Sequence, residues 1–70
     1  MDNFTSNMDA IEFGRQKIKE LPELNKEELE NLLVEVKDWC HKNKYTILNA
    51  GAKNLETDLI PDIENQLNIL

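Results

Sequence analysis

Long apolar runs are missing from this chain, and so are most of the residues with which small proteins staple themselves. Nowhere does it offer the roughly 18 consecutive apolar residues of a membrane-spanning helix, and the opening MDNFTSNMDA has neither the basic region nor the apolar run of a secretory signal. A soluble, cytoplasmic protein with no membrane partner is expected. A single cysteine, Cys40, excludes an internal disulfide, and one cysteine with one histidine cannot close a four-ligand zinc site. With two glycines in all, the chain holds no phosphate-cradling loop. No nucleophile stands in a recognisable relation to a base. Neighbouring acids such as Glu27 with Glu28, or Asp58 with Asp62, read as solvated helix surface rather than as an acid–base pair. The expectation is a protein that is not an enzyme, with no catalytic, cofactor-binding or metal-binding residues.

What is present fits one small domain over residues 1–70 with 40% hydrophobic content. Chains of this size bury only about 60% of the surface they expose when unfolded, and their cores rarely supply more than ~3–5 kcal/mol. Such a chain either packs tightly or completes itself against a partner, and a homodimer is expected over a monomer.

Charge is unevenly spread. The net of −6 divides into −5 over residues 1–36, +3 over 37–53 and −4 over 54–70. The middle segment owes its sign to Lys37, Lys42, Lys44 and Lys53, but acidic flanks would repel a polyanion, so nucleic acid is disfavoured. Nine asparagines against three alanines do not suit a designed bundle, whose helix surfaces are filled with strong helix formers.

The clearest local signal starts at Asn25. With Asn25 as N-cap, Glu28 falls at the third helical position, where it can close a capping box, and Leu24 and Leu29 form a hydrophobic staple. From there Leu29, Leu32, Leu33, Val36 and Cys40 recur at spacings of three and four, which predicts a helix over about 26–42. Cys40 lies inside that stripe and His41 is turned away from it, so the two do not form a nucleophilic pair. Cys40 reads as a packed, inert thiol and Trp39 as a lid at the core edge. Asn43 suits a left-handed helix end, and His41, Lys42 and Lys44 suit the negative end of the helix dipole.

An earlier helix is expected over about 6–20, capped by Ser6, with a stripe of Ile11, Gly14, Ile18 and Leu21. Gly14 on an apolar stripe implies close approach of another helix. Pro22 stops this helix, and the short PELN link makes the first two helices an antiparallel hairpin. The last third divides in two ways. Leu48, Leu55, Leu59, Ile63 and Leu67 allow one helix kinked at Pro61; alternatively Thr57 or Asp58 caps a fresh helix over about 58–69, where the missing N–H of Pro61 goes unneeded. The second division is preferred, leaving 45–56 as a short helix interrupted near Gly51, or less favourably a strand at YTIL. The fold expected is all-α, a small three- or four-helix bundle.

Such a protein acts by contact. The leading expectation is an acidic protein-binding module that regulates or inhibits another protein, of the kind phages and other mobile elements encode, with mimicry of nucleic acid by clustered carboxylates as one physical form. The alternatives are a helix–turn–helix-like DNA-binding regulator using residues 37–54, through Lys44, Asn49, Lys53 and Asn54, or a self-associating structural bundle with no further target. Two apolar residues fall outside the helical stripes. Phe13 lies beside Lys17 and Glu20, and Val34 shares its face with His41; with Trp39, these are the residues expected to bind a partner, the competing reading of Phe13 being packing under the N-terminal segment through Phe4.

Overall fold

The computed structural model describes residues 4–70, which form three helices, the last of them bent, and no strand. Helix α1 spans Asn7–Glu20, a 3-10 turn covers Leu21–Glu23, and helix α2 spans Lys26–Asn43. The bent helix is made of α3, Asn49–Thr57, and α4, Leu59–Asn68. The all-α bundle expected from the sequence is the fold observed.

The starts of α1 and α2 follow from local chemistry. The Ser6 hydroxyl accepts from the Asp9 N–H at 3.1 Å and opens α1. At α2 the capping box is complete, since Asn25 Oδ1 accepts from the Glu28 N–H at 2.8 Å and Glu28 Oε1 accepts from the Asn25 N–H at 2.9 Å. Pro22 ends α1 by converting the chain to the 3-10 turn, which closes with the Leu24 N–H on the Leu21 carbonyl at 3.1 Å.

Pairs of packed residues give the topology. Gly51 faces Ala10 and Leu55 faces Gly14, so α3 runs parallel to α1. Cys40 meets Ala52, and Lys37 pairs with Glu64 further along the bent helix, so α2 runs antiparallel to it. It follows that α1 and α2 are antiparallel to each other, as the short link requires. Both lie chiefly against the α3–α4 helix, which is their common packing partner.

The core comprises Ala10, Leu21, Leu29, Leu32, Val36, Trp39, Cys40, Ala52, Leu55, Leu59, Ile60 and Ile63. Two stripes are rotated from their expected position. On α1 the seam runs through Ala10 and Gly14, and Ile11 stays half-exposed outside the core, because α3 approaches too closely for a branched side chain on that line. A Cβ added to Gly51 would stand 2.8 Å from the Ala10 Cβ, and one on Gly14 would stand 2.7 Å from Leu55 Cδ2. On α2 the buried line includes Trp39 and leaves Leu33 half-buried, since Phe4 packs edge-on against the indole at a centroid distance of 5.1 Å.

Three expectations in the second half need correction. Gly51 does not interrupt a helix: it is buried inside α3, where its missing side chain admits Ala10. YTIL is a turn. Asn43 is not left-handed, because no described non-glycine residue has a positive φ; it is the last residue of α2, and its Nδ2 donates to the Trp39 carbonyl at 2.9 Å. At the bend Asp58 holds the N-cap position of α4 with φ −110° and ψ −59°, but its side chain caps nothing. The Thr57 hydroxyl bonds backwards to the Lys53 carbonyl at 2.8 Å. The bend itself follows from Pro61, whose ring would strike the carbonyl of residue 57 and which has no N–H to give it.

Candidate docking surface

The residues expected to meet a partner are mostly engaged within the chain. Phe13 is half-buried, its ring 5.1 Å from that of Phe4, which in turn abuts Trp39, so the three aromatics form a row across the α1–α2 seam. Lys17 Nζ lies 5.6 Å from the Phe13 centroid and 3.3 Å from Glu20 Oε1, which covers the open side of the ring. Trp39, at 7% exposure, belongs to the core and offers no outward face. Trp39 is the lid at the core edge that the sequence led one to expect, and Phe13 packs beneath Phe4 rather than pointing outward. Val34 and His41 do lie on the exposed side of α2.

The largest outward apolar side chains are elsewhere, at the corner joining α2 to α3. Tyr45 is 90% and Ile47 88% exposed. They stand on a turn that is pinned from several sides. Thr46 N–H donates to the Asn43 carbonyl at 3.2 Å, the Leu48 N–H donates to the Thr46 hydroxyl at 3.1 Å, and the Asn49 N–H donates to the Thr46 carbonyl at 3.1 Å. Helix α3 has no cap of its own, since Leu48 occupies the N-cap position. Asn7, from α1, supplies it: its Oδ1 accepts from the Gly51 N–H at 2.9 Å while its Nδ2 donates to the Ile47 carbonyl at 3.0 Å. One side chain, 40 residues away in sequence, fixes both the turn and the helix that follows it.

Beside this corner lies an open groove of about 400 Å³ lined by Lys44, Tyr45, Asn49, Ala52, Lys53 and Glu56. Lys42 pairs with Asp38 at 3.0 Å and Lys37 with Glu64 at 3.7 Å, whereas Lys44 and Lys53 form no ion pair among the described residues. Lys44 instead reaches over the Tyr45 ring, 5.7 Å from its centroid.

Beneath the groove the Cys40 thiol donates to the Ala52 carbonyl at 3.4 Å. Burial, with a smaller contribution from the Glu56 carboxylate, raises its pKa to about 11. At neutral pH it is a protonated, unreactive thiol, while His41 lies exposed on the surface. Among the described residues no group of three or more His, Cys, Asp or Glu side chains is placed to hold a metal ion, and no helix is long and apolar enough to cross a membrane.

Sequence reasoning passed over Tyr45 and Ile47 because it sought outward residues on helices, where a stripe defines inside and outside. A turn has no such periodicity. The signal available was the absence of a capping residue before α3, which leaves the helix start dependent on another element. Compared with known proteins, the chain matches no family model, no curated protein and no solved structure.

Proposed function

We propose that this chain is a protein-docking module that regulates or inhibits another protein by contact, and that its contact surface is the α2–α3 corner. The observation that carries this reading is the exposure of Tyr45 and Ile47, 90% and 88%, on a turn already fixed by Asn7. A turn whose backbone is already hydrogen-bonded needs little further ordering on binding, and aromatic residues dominate the energetic centres of interfaces. Lys44 and Lys53, which form no ion pair among the described residues, favour a partner surface that combines apolar and acidic side chains.

The helix–turn–helix alternative draws less support. Its recognition helix would be α3, whose Gly51, Ala52 and Leu55 are committed to the core and whose outer face carries the acid Glu56 as well as Lys53. The test is co-purification from the native cell at low abundance, comparing the wild type with a Tyr45→Ala/Ile47→Ala double variant. Proteins captured by the wild type are expected to be lost selectively, by ~10-fold or more, from the variant. An unchanged set of captured proteins would sink the assignment of this surface.

A further inference from the structure

We propose that the two ends of the molecule are complementary, so that the docking corner also receives the opposite end of a second copy in a head-to-tail contact. This rests on the reading of the corner as a docking surface, and adds an occupant that competes for it.

The bundle is elongated, with extents of 35 × 19 × 18 Å. The parallel course of α1 and α3–α4 places the start of α1 and the α2–α3 corner at one end, and the last turn of α4 beside the 3-10 turn at the other. At that far end two shallow grooves flank the last turns of α4. One includes Leu33, Pro61, Glu64 and Leu67; the other includes Leu21, Pro22, Asp62 and Ile69. Ile69 is 75% exposed, so each end presents an unpartnered apolar side chain.

The grooves at the two ends carry net charges of opposite sign. The corner groove holds Lys44 and Lys53 against the single acid Glu56. Both far-end grooves contain acids, Glu64 and Asp62, and neither contains a lysine or arginine. Glu64 is shared with Lys37 at 3.7 Å, while Asp62 has no ion pair among the described residues. These signs select the symmetry. A two-fold contact through the corner would gather two lysines from each copy against one acid, Glu56, from each, and one through the far end would gather Asp62 and Glu64 from both copies; like net charge across an interface disfavours both. A head-to-tail contact pairs opposite signs and buries Tyr45 and Ile47 against Ile69 and its surroundings. Because its two surfaces lie at opposite ends, each added copy leaves another corner open, and the assembly grows rather than closing at a dimer.

Sedimentation of the full chain from micromolar to millimolar concentration tests this directly. The wild type is expected to rise from 8.2 kDa through and beyond the dimer mass without a plateau, and to do so less at high salt. Ile47→Asn and Ile69→Asn alter exposed side chains, so both should keep the wild-type circular dichroism spectrum. Each variant alone is expected to remain a monomer over the same range. An equimolar mixture is expected to form a dimer and no more, because one variant keeps a working corner and the other a working far end. A wild type that stays monomeric, a wild type that stops at a dimer, or a mixture that stays monomeric overturns the proposal. Failure here with selective loss of co-purifying proteins from the Tyr45→Ala/Ile47→Ala variant removes only the second copy as occupant. Failure of both removes the corner itself.

Discussion

Cys40 shows how a single buried atom sets both reactivity and pH response. Its thiol is protonated in the folded and unfolded chains below pH 9.0, its ordinary value, and in that range its burial adds no pH dependence. As the pH rises towards the folded value of about 11, the unfolded chain gives up its proton first while the native chain holds it, so unfolding becomes progressively easier. The expected outcome is a loss of stability between about pH 9 and 11, reaching ~2–3 kcal/mol at two pKa units of 1.36 kcal/mol each. The measurement is denaturant unfolding of the wild type against Cys40→Ala across that range; equal slopes would rule out the effect. Native Cys40 should likewise react slowly with a thiol reagent and quickly in denaturant. At this scale much was legible, since the helical stripe put Cys40 inside and His41 outside. Phe13 was legible only as a choice between two readings, because its cover comes from Phe4, a residue ahead of the first helix and outside any periodic pattern.

At the scale of elements the decisive contact is α1 against α3. Small residues meet on both sides of it, and the two glycines respond differently to enlargement. At Gly14 an added methyl group would meet the tip of Leu55, a side chain with some freedom to turn, and the gain in helix propensity of ~1 kcal/mol offsets part of the strain. At Gly51 it would meet the Ala10 Cβ at 2.8 Å and the Asn7 backbone carbonyl oxygen at 3.3 Å, neither of which can rotate aside. Gly51→Ala is therefore expected to destabilise by ~1–3 kcal/mol, and Gly14→Ala by less, in thermal or denaturant unfolding. If Gly51→Ala proved the more stable of the two, the close approach would not be what holds these helices. Helix starts at Ser6 and Asn25 were readable from the sequence because their capping groups lie three residues away. The start of α3 was not, because its cap comes from α1, and the bend at Asp58 combined features of both divisions allowed by Pro61. Helical spacing continues through it, yet the backbone turns.

On the scale of the whole molecule, Asn7 links the first helix to the only described turn that carries large exposed apolar residues on both sides of a pinned threonine. Asn7→Ala removes two hydrogen bonds and leaves the half-buried start of α3 without a cap. Stability is expected to fall by ~1–3 kcal/mol. The more specific readout is amide hydrogen exchange at Gly51 and Leu48, expected to accelerate more than exchange in the middle of α2. Uniform acceleration along the chain would mean that Asn7 contributes only general stability.

That same residue ties surface formation to the order in which the chain folds. The N-terminal caps and turns of α1 and α2 close over a few residues and can form early, whereas the Asn7 contacts require closure of a loop of about 40 residues and the prior docking of α3. A partly folded chain can thus hold most of its helix while Tyr45 and Ile47 still lack a fixed relation to each other. The proposed recognition surface becomes available only to molecules that have completed the bundle, so an assay of binding to it would count finished folds, where a measurement of helix content would also count the unfinished ones.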